Sequence, residues 1–390
     1  MQFELTEKLK KRQLELREFL DVEIRPIADK RDAEGPLTKE EVKAFIQKLK
    51  PEGYVLSFFS KELGGLDHSY LERVIYAEEL GRVWPSLAGT IDTHAGVSGL
   101  LAKIGGNEIR DKIVKPCLEG DMIACDMVSE PQAGSDTTQF KTTAILDGDH
   151  YVVNGAKIWQ TNGPWADIGM IVAINDPEAY AKNPREGAIN LFIEKSVSPW
   201  RVRNIPFIGL KAGTTGHMEF ENCKVPKENL LTTEGYKETI NARGWARVNI
   251  MAIGLGIMQA ALEDSIAWVK KRTAFGKSIG GHQLIQEMIA DMAIDLECSR
   301  FLTYRAAEYM DSNIRADLEQ NMCKAFVSQA GMRVVEKAIQ IHGGRGLTTE
   351  EGFRLERYYR DGIMGQIAEG TIQIVKLIVA RRLLGIQAFF

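Results

Sequence analysis

Two carboxylates in this chain stand where chemistry has to be weighed against plain solvation. Asp92 falls inside LAGTIDTHAGVSGLLAKIG, a run of small and apolar residues at helical spacing. A carboxylate buried in such a helix is costly unless it is paired or used. Pairing with His94, or the capping of a turn, is the structural explanation; contact with a reacting or polar part of a substrate is the functional one. Glu369 precedes Gly370 and Thr371 at the head of another apolar run. Taken alone it is a solvated residue at a helix entry, close to Thr371 as N-cap. Arg247 has the same ambiguity, as either an exposed helix arginine or a contact for a phosphate or other anion.

Other patterns carry less. Gly254-Leu255-Gly256 has the spacing of a dinucleotide loop but lies within a helical run with no strand before it, so helix packing explains it better. Gly343-Gly344-Arg345-Gly346 follows a helix, where a turn with outward-facing amides is expected. The five cysteines are widely spread with no CxxC pair, which gives no metal site and points to reduced thiols. A net charge of −4, with Lys and Arg scattered among Asp and Glu, leaves no basic stripe for nucleic acid. The N-terminus carries charge throughout, and the uncharged run from Asn249 to Leu262 is too short to span a bilayer. A cytoplasmic protein with no membrane partner is the expectation.

The elements that position these residues follow from periodicity. From Leu5 to about Gly120 apolar residues recur at helical spacing, broken by glycine and proline. Between Met122 and Pro226 the period becomes two. TTAILDGDHYVVNGAKIW is expected to form strands joined by hairpins at Asp147-Gly148 and Asn154-Gly155. AINLFIEK and HMEFENCKV read as further strands, with DPEAYAKNPREG as a polar loop, so the middle unit is antiparallel β. After Pro226 four long helical runs return, and a four-helix bundle is their simplest packing. The expected units are an N-terminal α-helical domain over 1–121, a β-barrel-like domain over 122–233 and the bundle over 234–390. The chain is thus mainly α with a β middle.

Five segments together narrow the function. SEPQAGSD (129–136), NGAKIWQTNG (154–163), RTAFGKSIGGHQLIQEMIADM (272–292), QIHGGRG (340–346) and AEGTIQIVKLIVAR (368–381) resemble the acyl-CoA dehydrogenase family in order and spacing, across essentially the whole chain. The resemblance implies the same helical, β and four-helix layout, FAD in the cleft between sheet and bundle, and a homotetramer. It implies removal of an α-proton and a β-hydride from an acyl-CoA thioester, with electrons passed to an electron-transferring flavoprotein. That chemistry needs a base, an electron sink and donors for the developing enolate.

The resemblance assigns the base to Glu369, which should be enclosed so that its proton affinity rises toward that of the carbon acid. The alternative slot used by some relatives, just before Arg247, is occupied here by Ala246. For FAD it implies Val128, Ser129, Gly134 and Ser135 along the ring and pyrophosphate, and Trp159 and Thr161 over the ring. It implies Arg272, Phe275 and Gln283 reaching across a subunit interface, Gln340, Gly343 and Gly344 at the adenosine, and Thr371 and Gln373 completing the pocket. Hairpin core is the plain alternative for Trp159. Ser135, Arg247 and Gly370 are the implied substrate contacts, although Gly244 stands where relatives often carry an aspartate. Asp92 lies on the helix that lines the acyl pocket in this family. Some members acting on alicyclic thioesters such as cyclohexanecarboxyl-CoA use an aspartate from this helix as base, so a cyclic acyl group touched by Asp92 is the expectation, with Asp92 as substrate contact or as a catalytic acid or base beside Glu369. The same scaffold would also suit an enoyl-CoA reductase or an acyl-CoA oxidase, and the alternative of another class is a non-catalytic or DNA-binding member.

Overall fold

The computed structural model describes residues 4–184, 186–350 and 352–386, and the side chains of all these except 236–243. Six helices come first: α1 (Glu7–Glu23), α2 (Arg25–Arg31), α3 (Lys39–Leu49), α4 (Tyr70–Val83), α5 (Pro85–Ile104) and α6 (Asn107–Leu118). Their starts are chemically marked. Thr38 with Glu41, and Ser69 with Glu72, form reciprocal capping boxes on α3 and α4, and Pro85 opens α5.

The middle unit comprises β1 (Ala124–Met127), β2 (Thr143–Asp147), β3 (His150–Thr161), β4 (Ile168–Ile174), β5 (Ala188–Glu194), β6 (Arg201–Asn204), β7 (Thr215–Pro226) and β8 (Leu230–Thr232). They join in the order β6-β7-β3-β2-β4-β5-β8, with β1 added on β4. Most pairs are antiparallel as expected, but β1 and β2 each meet β4 in parallel, so the sheet is mixed. A short helix, α7 (Pro177–Lys182), capped by Asp176, interrupts the segment expected to be loop. The hairpin at Asp147-Gly148 is present, with Gly148 at φ 62°. Asn154-Gly155 makes no turn. It is a bulge inside the single strand β3, where Gly155 takes φ 138° and a Cβ would stand 2.6 Å from Thr142 Oγ1. Asn154 Oδ1 meanwhile accepts from the amide of Asn222 on β7, at 2.7 Å. The same dipeptide that suits a tight turn also suits a bulge, and cross-strand bonding decides between them.

The last third holds α8 (Gly235–Lys271), a two-strand ribbon of β9 (Thr273–Ala274) and β10 (Lys277–Ser278), α9 (Gln283–Asp311), α10 (Asp317–His342), α11 (Leu355–Gly362), α12 (Met364–Ile367) and α13 (Ile372–Leu384). Helices α8, α9 and α10 pack on one another and α13 lies on α10, giving the expected bundle. By length and apolar content the stretch Gly244–Lys271 is sufficient to cross a bilayer, contrary to the sequence expectation, because Arg247 is the one charged residue between Gly244 and Leu262. Most of it is buried, and α8 packs on α4, α9 and α10, as a core helix does.

The first helical unit is fastened to the bundle where α4 crosses α8. At Gly256 an added Cβ would lie 2.2 Å from the carbonyl oxygen of Glu78 and 2.3 Å from the amide of Arg82; at Gly81 it would lie 2.7 Å from the carbonyl of Ile253. Backbone therefore touches backbone. Around that contact Glu78 and Glu79 are fully buried on α4. Glu78 accepts from Arg300 Nη2 and Tyr304 Oη of α9, each at 2.7 Å, and Glu79 from Arg17 Nη2 of α1 at 2.8 Å and Arg82 Nε at 3.1 Å. Both acids are thus core groups, with partners on three helices.

Gly254 and Gly256 separate helix propensity from packing. A Cβ at Gly254 meets nothing closer than 4.0 Å. Gly254→Ala is expected to be neutral or stabilising by up to about 1 kcal/mol, and Gly256→Ala to cost about 1–3 kcal/mol through overpacking. Thermal unfolding of the two variants checks the contrast; equal Tm values would remove the packing account.

Candidate active site

A cavity of about 1590 Å³ opens between the sheet, α5, α8 and the α12–α13 junction. It brings together Asp92, Val128, Ser129, Gly134, Ser135, Trp159, Thr161, Arg247, Glu369, Gly370 and Thr371 from the sequence-derived set. The other seven, Arg272, Phe275, Gln283, Gln340, Gly343, Gly344 and Gln373, are all exposed on the protein surface and line no part of it. Phe275 is 95% exposed at a positive φ of 53°.

Glu369 sits between α12 and α13. It adopts φ 56°, Gly370 follows at 93°, and Thr371 caps α13 by accepting the amide of Ile374 at 3.4 Å. A non-glycine residue in the left-handed region is strained and persists only where its surroundings fix it. Here the fixing group is Arg247, 8% exposed, whose Nε donates to the Glu369 carbonyl oxygen at 3.0 Å. Arg247 is therefore a buried clamp on this junction, not an exposed helix arginine. Lys324 of α10, also buried, donates to the carbonyl of Gly365 on α12. Burial pushes its ammonium down to about 8, against the pull of Glu369. The expected apolar enclosure is incomplete: Ala368 is half-buried but Ile367 is 61% exposed. Gly244 faces Gln320, whose Oε1 would lie 2.6 Å from a Cβ, so a larger residue there would displace that amide.

Asp92 does not pair with His94 and caps no turn. His94 points elsewhere, with Nε2 3.0 Å from the Cys117 carbonyl oxygen and Nδ1 accepting from the Ala124 amide at 3.2 Å. Asp92 lies mid-helix on α5 and faces the cavity. Burial pushes its carboxyl up to about 7; a hydrogen bond to Asn249 and the charge of Arg73 oppose the shift, and Glu369 adds to it.

The opposite wall is built on β3. A second register shift, between Ile158 and Gln160, puts Trp159 at φ 67° and turns its indole out of the sheet. The ring is 52% exposed and 5.9 Å from that of Phe207, so hairpin core does not describe it. Segment 128–136 is tied to this strand by a buried pair. Lys157 Nζ donates to Glu130 Oε1 at 2.8 Å and to the Val128 carbonyl at 3.0 Å, and the Ile158 amide donates to the Ser129 carbonyl at 2.8 Å. Sequence reasoning passed over Lys157 and Glu130, and also Arg73, Trp245, Asn249 and Lys324. The one visible signal was Lys157, a charge flanked by apolar residues in a strand.

Three family models match in the order of the three units: acyl-CoA dehydrogenase N-terminal domain over residues 6–121, middle domain over 125–223 and C-terminal domain over 233–384. The chain belongs to the acyl-CoA dehydrogenase family. As an acyl-CoA dehydrogenase it is an oxidoreductase acting on CH–CH groups. Among its relatives is the short-chain specific acyl-CoA dehydrogenase of Clostridium acetobutylicum, 32% identical over 387 residues, 98% of this chain and 100% of that one. A solved structure described as an electron transferring flavoprotein of Acidaminococcus fermentans superposes with a TM-score of 0.91 at 31% identity, covering 98% and 100% of the two chains. PigA with FAD and proline superposes at 0.90 and 27% identity, covering 98% and 99%.

Two outcomes are expected for this acyl-CoA dehydrogenase. Between pH 4 and 7 folded Asp92 holds a proton that the unfolded chain, with its ordinary value of 3.8, has released. The stability it contributes therefore falls as pH rises through that window. The Tm of Asp92→Asn relative to wild type should be several degrees higher at pH 8 than at pH 5; a constant difference would contradict the burial of this carboxyl. Lys157→Met strands Glu130 and is expected to cost about 3–5 kcal/mol, with Glu130→Gln added to it restoring part of the loss. Calorimetry of single and double variants decides that.

Proposed function

We propose that Glu369 removes the α-proton of an acyl-CoA thioester held in the cavity, with FAD against the Trp159 wall. The observation that carries this is the Glu369 junction: a carboxylate on a strained left-handed residue, with its carbonyl clamped by Arg247, facing the same cavity as Trp159, Thr161 and Ser129. The cavity exceeds the ~300–1,000 Å³ usual for one small ligand, which supports a flavin nucleotide and a thioester side by side. The half-exposed indole offers a flat face, Ser129, Ser135 and Thr161 offer hydroxyls, and Gly134 leaves open space where a side chain would intrude. FAD bound there supplies the two-electron acceptor for the β-hydride. Glu369 takes the proton, and Arg247 and the Thr371 cap keep its carboxylate from swinging away.

The seven exposed residues suit contact with FAD of a neighbouring subunit. The exposed apolar groups Leu284, Ile294, Leu383, Leu384 and Ile386 on and beside α9 and α13 support a homotetramer. Electrons pass to an electron-transferring flavoprotein, a reading supported by the flavoprotein-linked neighbour. All five cysteines are free thiols, which suits the cytoplasm. A cyclic acyl group in contact with Asp92 is supported by Gly89 on the cavity side of α5, where nothing lies within 4 Å of an added Cβ.

Glu369→Gln is expected to bind FAD normally and to slow anaerobic bleaching of the flavin by acyl-CoA about 10²- to 10⁴-fold. Full-rate bleaching by this variant would refute the assignment of the base.

A further inference from the structure

One part of the cavity wall has no role in proton removal. Phe58, Tyr70 and Trp245 form an aromatic corner there, with ring centroids 6.0 Å apart for Phe58 and Trp245 and 5.1 Å for Tyr70 and Trp245. The Arg73 guanidinium lies over two of these rings, 4.8 Å from the centroid of Phe58 and 5.2 Å from that of Tyr70. Among the described residues no carboxylate lies within 4.0 Å of it, and its buried Nε has no hydrogen-bond partner. The buried indole N–H of Trp245 is also unpartnered. Asp311, one of the acids that act on Arg73, is already used: its two oxygens accept the amides of Tyr70 and Leu71 at 2.6 and 3.1 Å, capping α4. Burial holds the Arg73 pKa below its ordinary value, against the pull of Tyr70, Asp67, Asp311 and Asp92.

A desolvated guanidinium with an orphan N–H is expensive unless a ligand completes it. Its fork of donors matches a carboxylate. The position along the cavity follows from α5. Asp92, Gly96 and Gly99 share one helix face, and Phe58 packs over the two glycines, its ring 3.7 Å from where a Cβ of Gly96 would stand and its carbonyl 2.7 Å from that of Gly99. Asp92 feels the charges of both Glu369 and Arg73, and Arg73 lies over the Phe58 ring, at the Gly96–Gly99 end of this face.

We propose that Arg73, with the Trp245 N–H beside it, binds a carboxylate at the end of the acyl group remote from the thioester, so that the substrate is the mono-CoA ester of a dicarboxylic acid. This rests on the dehydrogenase reading above, holds for an open chain or a ring, and makes Arg73 a specificity-determining residue. A monocarboxylic thioester leaves both donors unpaired in the closed site.

The test is anaerobic flavin bleaching by the FAD-loaded enzyme with glutaryl-, adipyl- and pimelyl-CoA, against valeryl-, hexanoyl-, heptanoyl- and cyclohexanecarboxyl-CoA. At least one dicarboxylic ester is expected to exceed its monocarboxylic counterpart in kcat/KM. In Arg73→Met that ratio is expected to fall about 10- to 100-fold, the worth of a charged hydrogen bond, with Arg73→Lys in between. Wild-type preference for monocarboxylic esters, or an unchanged ratio in Arg73→Met, overturns the proposal while leaving the dehydrogenase standing. Absence of bleaching by every ester overturns the dehydrogenase reading itself. Should Arg73→Met fail to retain FAD, the wild-type ratio alone decides.

Discussion

The contact of α4 with α8, backbone against backbone at Gly81 and Gly256, is the constraint from which the rest of the architecture follows. It sets the separation between the first helical unit and the bundle at the least that two helices allow, and the cavity is the space left where they diverge. Residues from both partners face into it: Arg73 from α4, and Trp245, Arg247 and Asn249 from α8. The buried acids Glu78 and Glu79 reinforce the crossing, because removing Arg300, or Arg17 and Arg82 together, would strand a charge in the core. Hydrophobic burial alone would tolerate sliding of one helix along the other. Two glycines and a set of charged hydrogen bonds do not.

Against this rigid frame, the groups that face the cavity are held in backbone conformations of higher energy. Glu369 and Trp159 are both non-glycine residues at positive φ, one at a helix junction and one at a strand bulge. Each is over-determined by neighbours: the first by Arg247 and the Thr371 cap, the second by the pairing of β3 with β7 and by the Lys157–Glu130 pair beneath it. Strain of this kind marks positions where side-chain direction matters more than local stability.

Much of the architecture was legible because its causes are local. Helical periodicity, the capping threonine at 371 and the turn glycine at 148 act within a few residues of themselves. The Asn154-Gly155 dipeptide was misread because turn and bulge ask for the same residues, and only the pairing with Asn222 separates them. Arg73 and Glu78 were missed for the converse reason. Each looks like the charged face of an amphipathic helix, and the aromatic rings or arginines that surround them come from elements far away in sequence. The candidate site divided in the same manner: residues of one fold unit's cleft assembled, whereas those that the family resemblance assigns to contacts between subunits lie exposed on a single chain.

Glu369 belongs to no helix. It rides on the four-residue link Ala368–Thr371 between α12 and α13, whose two helices are each anchored separately to α10. Lengthening or shortening that link would shift the carboxylate along the cavity without repacking the bundle. The scaffold thereby uncouples the placement of this carboxylate from the shape of the cavity beside it, so the two can diverge independently among proteins built on this frame.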